Sequence, residues 1–219
     1  MAAALFKLYW IPIGVVAVLV IAAGTAGPLM SRVEQPEYTV EASEGPIEIR
    51  MYGPMIAAEV AVTGDRRSAI GEGFRLIAAY IFGANTSNAK IDMTAPVQQQ
   101  RQQKVAETGT TAQQSEDGTW AVRFIMPKKW TMASLPAPGD PRVSLISVPA
   151  QRMAVIRFSG SANDNLIATK TAELQKYMAD HRLAPVKGPL FAFYNPPWTL
   201  PVFRRNEIMF EIAEPARER

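Results

Sequence analysis

An α+β domain of two pseudo-symmetric βαββ-like repeats, forming an antiparallel sheet flanked by two helices and preceded by one transmembrane helix, is the fold class that these 219 residues predict. Three observations predict it. The chain matches itself at a constant offset, each copy passes from strands to a helix and back to strands, and a long uncharged apolar run precedes both copies.

The apolar run comes first. No charged residue stands between Lys7 and Arg32, and Leu8 to Ala26 is almost wholly apolar, about 30 Å of helix at about 1.5 Å per residue. A cleavable signal has a shorter apolar region, roughly 7–15 residues, closed by small residues such as the run Ala22 to Gly27. The length favours an uncleaved anchor over residues 1–31. Pro12 and Gly14, costly in a water-exposed helix, are tolerated in a spanning one. Lys7 precedes the span while Glu34 and Glu37 follow it, which puts the rest of the chain on the non-cytoplasmic, periplasmic side by the positive-inside tendency. Residues 32–36 read as a linker, 37–213 as the folded domain and 214–219 as a tail.

Ile47 to Gly64 (IEIRMYGPMIAAEVAVTG) lies over Val143 to Gly160 (VSLISVPAQRMAVIRFSG), with Tyr52 on Val148, Ala58 on Ala154, Val60 on Ile156 and Val62 on Phe158. Each copy reads as two strands around a short turn, ending in a hydroxyl residue and glycine. A helix follows in each. Ile70, Phe74, Ile77 and Ile81 make an apolar stripe over Arg66 to Phe82, stopped by Gly83. Ile167, Leu174 and Met178 make the second stripe, from an N-cap at Asn163 or Asp164 to about His181. Then come two extended segments running into proline, Ile91 to Val97 and Leu190 to Pro196, so that Met93 to Pro96 corresponds to Tyr194 to Pro197. Trp120, Val122, Phe124 and Met126 alternate in a last strand of the first repeat (about 37–127), as Ile208, Phe210 and Ile212 do in the second (about 142–213). Between them, Gln98 to Gly118 is polar and aperiodic and reads as a long mobile loop.

Composition excludes several function classes. With 48% hydrophobic and 20% charged residues the chain can bury one ordinary core. The net charge of +3 is scattered among nearly as many carboxylates, which is not the clustered basic stripe of a nucleic-acid binder. Cysteine is absent and histidine occurs once, at His181, so disulfides, cysteine-ligated zinc, iron–sulfur clusters and covalent Cys-x-x-Cys-His haem are out of reach. No nucleophile elbow, Walker loop or G-x-G-x-x-G turn is present, and Glu207 is the one carboxylate that stands out; the reading is a binding protein, not an enzyme.

The stretch Tyr194 to Glu207 (YNPPWTLPVFRRNE) carries the binding signal. Pro196, Pro197 and Pro201 stiffen it, and its aromatics stand beside Arg204 and Arg205, a combination suited either to covering a core or to receiving a flat apolar ligand with acidic edges.

Together with Gly45 to Tyr52, Tyr80 to Val97, Phe124 to Pro127 and Phe158 to Gly160, this stretch resembles the SOUL haem-binding protein family, in matching order over about Glu37 to Ile212. The resemblance implies two repeats around one sheet, as in bacterial effector-binding domains, and noncovalent binding of haem or a related tetrapyrrole. On that footing Arg204 and Arg205 are candidates to pair with the propionates, and Trp198, Tyr194, Met93 and Phe74 are candidate walls, Phe74 also being a core candidate. His181 is a weak axial-ligand candidate, because a helix carboxyl end favours its protonated form; Met93, Met126, Tyr194 or no residue at all are the alternatives for the iron. The expected function is a membrane-tethered tetrapyrrole carrier, buffer or sensor rather than a redox cytochrome. The competing expectation is an interaction subunit that docks to a membrane protein complex without bound haem.

Overall fold

The computed structural model describes residues 33–102 and 118–214; the apolar segment Leu8–Ala26, most of the polar stretch 98–118 and the tail beyond 214 lie outside the described residues. Among the described residues no helix is long and apolar enough to cross a membrane. Nine strands and two helices lie among the described residues, in the order β1 (Tyr38–Glu44), β2 (Ile47–Tyr52), β3 (Met55–Thr63), α1 (Arg66–Ile81), β4 (Val97–Arg101), β5 (Thr119–Ile125), β6 (Ser144–Val148), β7 (Gln151–Phe158), α2 (Asp164–Asp180), β8 (Pro185–Phe193) and β9 (Asn206–Ile212). A single 3-10 turn, Pro201–Phe203, lies between β8 and β9.

All strands form one antiparallel sheet in the order β1-β2-β7-β9-β8-β4-β5-β3-β6. With β1 set aside as an added edge strand, exchanging β2 with β6, β3 with β7, β4 with β8 and β5 with β9 turns the order of the other eight into its own reverse, so a pseudo-twofold axis passes between β4 and β8. Gln99 and Phe191 face each other there. The sequence suggests that β2 pairs with β3, and β6 with β7, as hairpins; instead each repeat lends its first strand to the other. β2 pairs with β7, and β6 with β3. Gly53-Pro54 and Pro149-Ala150 are too short to let these strands travel, so the sheet rolls until its two flanks meet at the two corners.

Period-two alternation divides the sheet into two faces. On the helix face Ile47, Ile49, Val60, Val62, Val122, Phe124, Ile156, Phe191, Ile208 and Phe210 join Ile77, Ile81, Ile167, Leu174 and Met178 of the helices in one core. Leu174 is wholly buried, which contributes about 1.5–3 kcal/mol relative to exposure. The α2 stripe matches the periodicity reading and is capped by the Asn163 side chain, which accepts from the Leu166 N–H at 2.8 Å.

The first helix keeps its bounds and, with Ile77 and Ile81, the carboxyl half of its predicted stripe, but not Ile70 and Phe74. Its buried line is Ala69, Gly73, Ile77, Tyr80 and Ile81, while Phe74 is 37% exposed. A Cβ on Gly73 would stand 2.6 Å from Val122, so the helix approaches the sheet through its small residues and Phe74 is pushed to the shoulder. Three further readings change. Gln98 and Gln99, at the start of the supposed mobile loop, are buried in β4, because pairing to both β5 and β8 satisfies their backbone. Met93–Pro96 precedes β4 whereas Tyr194–Pro197 follows β8, so these segments lie at opposite ends of equivalent strands and are not counterparts. The described part of the linker is docked: the Ala95 N–H donates to the Glu34 carbonyl at 2.9 Å, and Val33 packs against the apolar cluster that contains Ala95 and Tyr194.

Candidate functional site

On the face opposite the helices the alternate residues of the same strands bring buried charge together. Arg50 on β2 reaches across β7 to Glu207 on β9, with Nη1 and Nη2 donating to the carboxylate at 3.0 and 3.2 Å. The Tyr194 hydroxyl donates to Glu207 Oε2 at 2.6 Å, and Arg205 donates Nε and Nη2 to Oε1 at 2.9 and 2.7 Å. Arg50 also donates to Glu48 at 2.6 Å and to the Tyr52 hydroxyl at 3.0 Å. Arg50 and Glu207 are each 1% exposed. Two guanidinium groups therefore converge on one buried carboxylate, and Glu48 supplies the second negative charge.

Burial sets the acid–base behaviour here. It pushes the Tyr194 and Tyr52 hydroxyls well above the ordinary tyrosine range; the Glu207 charge adds to this, and the Arg charges oppose it. Burial works against the charge of Arg50, but the attraction and hydrogen bonds of Glu207 outweigh it, and Arg50 is held still more firmly protonated.

This network fastens the chain entering the domain. Arg205 Nη1 donates to Gln35 Oε1 at 3.1 Å, and Tyr38 covers the Arg50 guanidinium at 4.2 Å and meets the Tyr52 ring at 5.1 Å. Glu34 Oε1 accepts the Lys128 N–H at 2.7 Å. The strap 34–39 is thereby held over the two corners.

Beneath it is a cavity of ≈ 1110 Å³. Its walls are Met51, Tyr52 and Met55 at the first corner, Val148 and Pro149 at the second, and Met126, Trp130 and Met132 after β5, with Tyr38 from the strap. Four of the chain's ten methionines line it, giving a soft wall that adapts to a large apolar ligand. The charged lining groups are Glu34, Glu37 and Lys128, and Lys128 is paired with Glu37.

A tetrapyrrole needs apolar walls for its two faces, which the aromatic and methionine side chains provide. The indole N–H of Trp130, a lining residue, is buried without a partner among the described residues and would be satisfied by an acceptor on a ligand. The residues present thus fit the apolar faces of such a group, with thioethers as the iron-seeking donors, while for its acidic edge the lining offers only Lys128, which is paired with Glu37.

The candidates named from the sequence do not converge on this cavity. Tyr194 is buried in the charge network, and Arg205 is committed to Glu207 with its guanidinium 3.9 Å over the Tyr194 ring. Arg204 donates to the carbonyls of Thr199, at 2.7 Å, and Pro197, bracing its own loop. Trp198 is 69% exposed on that loop, and Met93 lies exposed before β4. Phe74 is on the helix side of the sheet. His181 caps α2 with Nδ1 2.9 Å from the Tyr177 carbonyl, its ring stacked on Tyr177 and Nε2 3.6 Å from Glu44. Of the iron alternatives, Met126 alone lines the cavity. The residues missed by sequence reading come from four separate segments, and their only shared signal was the run of methionines and aromatics near the two corner turns.

Residues 33–211 match the family model described as SOUL heme-binding protein. The chain belongs to the SOUL family. Curated proteins yield no match to it. Among solved structures it is similar to the EcmrR C-terminal domain, at 12% identity and TM-score 0.56, over 81% of this chain and 98% of the other. A hydrolase from Listeria innocua matches at 12% identity and TM-score 0.52, over 79% and 94%. An uncharacterized conserved protein from the same organism matches at 13% identity and TM-score 0.54, over 78% and 94%. At such identities the likeness establishes the fold that this SOUL chain shares with them, and no more.

Proposed function

We propose that this SOUL protein binds haem or a related tetrapyrrole noncovalently in the corner cavity, and that Leu8–Ala26 tethers it to a membrane with the domain on the periplasmic side. The cavity carries the reading: its size is just above the usual span for small-molecule sites, roughly 300–1,000 Å³, and its walls include aromatic and methionine side chains. Membership of a haem-binding family supports the ligand class. Bound there, the tetrapyrrole would bring light absorption and, when metallated, an iron centre. The chain's part is to exclude water with Tyr38, Trp130 and the methionines and to hold the strap closed through Arg205 and Gln35. With His181 on the far side of the sheet, the role that fits is carrier, buffer or sensor rather than redox cytochrome.

Hemin titration of the detergent-solubilised full chain tests this. Saturable quenching of tryptophan emission with a shifted Soret band is expected, and Met55→Glu weakens binding at least about tenfold, or about 1.4 kcal/mol. Arg204→Ala with Arg205→Ala has a smaller effect, through the strap, and His181→Ala the smallest. Equal losses in all three, or binding unchanged in Met55→Glu, would remove the cavity from the proposal.

A further inference from the structure

The loop between β8 and β9 is not used by the cavity, and it presents a cluster that the isolated domain leaves open. Trp198 is 69% exposed, Leu200 43%, Val202 70% and Phe203 54%. Collapse of these side chains is prevented by the way the loop is built. Thr199 is buried beneath them, Arg204 clamps the Thr199 and Pro197 carbonyls, and the Gly160 N–H donates to the Pro201 carbonyl at 2.8 Å. Apolar groups held outward by a braced, proline-stiffened loop mark a surface that meets something apolar.

The charge beside the cluster is positive and uncompensated. Val202 and Phe203 share a groove with Arg157, Arg204, Arg205 and Glu48. Glu48 is paired with Arg50, and Arg205 with Glu207. Arg204 is satisfied by carbonyls, which leave its charge whole, and Arg157 is exposed with no side-chain partner among the described residues. Tryptophan and phenylalanine flanked by arginine is the composition of a membrane interface, where the rings lie at headgroup depth and the cations meet anionic phosphates.

The path of the chain selects the occupant. The loop leaves from Tyr194 and returns at Arg205, and the entering chain touches that base where Arg205 donates to Gln35, with Val33 packed on the apolar cluster that includes Tyr194. Residues 27–32 between Leu8–Ala26 and Val33 reach at most about 20 Å. The tip of the loop is within about 15 Å of its base. The surface that carries this cluster is therefore within reach of the end of the apolar segment.

We propose that the loop Pro196–Phe203 is a lipid-facing surface, with Trp198, Leu200, Val202 and Phe203 entering the interface of an anionic bilayer and Arg157 and Arg204 against its headgroups. The choice of occupant rests on the membrane-tether reading above; the exposed cluster and its charge do not.

The chain has no cysteine, so a single nitroxide can be placed at will. The full chain carrying Val202→Cys, and separately Lys176→Cys on the exposed side of α2 as a reference, is reconstituted into liposomes of phosphatidylcholine with one-third phosphatidylglycerol. The expected result is a Val202 label several-fold more accessible to oxygen than to a water-soluble nickel complex, while the Lys176 label reports water. Salt or pure phosphatidylcholine should weaken the immersion, because the arginine contribution is screened or lost. A Val202 label that reads aqueous in liposomes from which alkaline carbonate does not extract the protein overturns the proposal and leaves the tether standing. If carbonate does extract the protein, the tether fails. The same labelled chain is then added to phosphatidylglycerol vesicles: immersion there sustains the loop surface, and an aqueous label overturns it. A label shielded by a stoichiometric co-purifying protein also overturns it, in favour of docking to a membrane complex.

Discussion

Beneath the helices, β2, β7 and β9 present Ile47, Ile49, Ala154, Ile156, Ile208 and Phe210, whereas on the opposite face the same three strands contribute Arg50, Tyr52, Val155, Glu207 and Met209. Both sets are buried, but by different means. The helix face is closed by many small apolar contributions, each removable at its own cost. The opposite face is closed by one network in which every member depends on the others, since Arg50 and Glu207 have exchanged water for each other. A ligand cavity and an entry strap belong on the second kind of surface, where one polar hub can fix several segments at once.

The largest expected effect breaks that hub. Glu207→Ala leaves Arg50 buried and takes a partner from Arg205 and Tyr194, at a cost of about 3–5 kcal/mol in urea unfolding. The double variant Arg50→Met with Glu207→Leu recovers the part that comes from the stranded Arg50 charge, while the Tyr194 hydroxyl and Arg205 still lack Glu207. Leu174→Ala on the helix face costs about 2–5 kcal/mol and has no single rescuing partner. If the double variant is as unstable as Glu207→Ala, the two faces do not differ in the way described.

The next effect is alkaline. Tyr194 and Tyr52 have folded-state pKa values above the ordinary value of about 10, so their contribution is fully present below that pH and is lost as pH rises toward the folded values. Each therefore lowers stability by up to about 1.4 kcal/mol per pH unit above about 10. Absorbance at about 295 nm should show these two tyrosines ionising only with unfolding, and Tyr194→Phe should flatten the alkaline slope; an unchanged slope would place the titrating group elsewhere.

The two faces also differ in how far the sequence disclosed them. Alternation in β5 and β9 and the α2 stripe were legible because they are local and periodic. So was the repeat, and with it the helix-covered sheet. The exchange of first strands was not, because Tyr52 and Val148 carry nothing that says whether each pairs within its own copy or across the axis. Gln98 to Gln100 looked like loop because glutamine favours no strand; it becomes one by lying between two others. The cavity was illegible for the same reason as the exchange, since Met51, Met55, Met126 and Met132 meet only once the corners close. The arginines were singled out as ligand partners, whereas Arg205 holds Glu207 and Arg204 its own loop.

A smaller effect tests the close approach on the helix face. Alanine in place of Gly73 would by propensity alone favour the helix by about 1 kcal/mol. Its Cβ would meet Val122 at 2.6 Å, and the resulting shift of α1 costs about 1–3 kcal/mol. A net loss is expected in thermal unfolding. Gly71→Ala, one turn face away with nothing within 4 Å of its Cβ, should show the propensity gain by itself. A gain at both positions would mean that α1 can lift from β5 without cost.

The smallest effect separates the two repeats on that same face. Asn163→Ala removes one cap bond, to the Leu166 N–H, and costs about 1 kcal/mol. Asp65 accepts from two, the Arg67 and Ser68 N–H groups at 3.0 and 3.1 Å, and brings a negative charge to the amino end of α1. Asp65→Ala should therefore cost more than Asn163→Ala at pH 7. Hydrogen bonds from Ser68 and Arg67 hold the Asp65 carboxyl below its ordinary range. Its contribution is accordingly present above about pH 4 and is lost as pH falls through the lowered folded value. Chemical denaturation of both variants at pH 7 and below pH 3 should show the gap between them closing in acid. A gap that persists there would assign the difference to the geometry of the cap rather than to its charge.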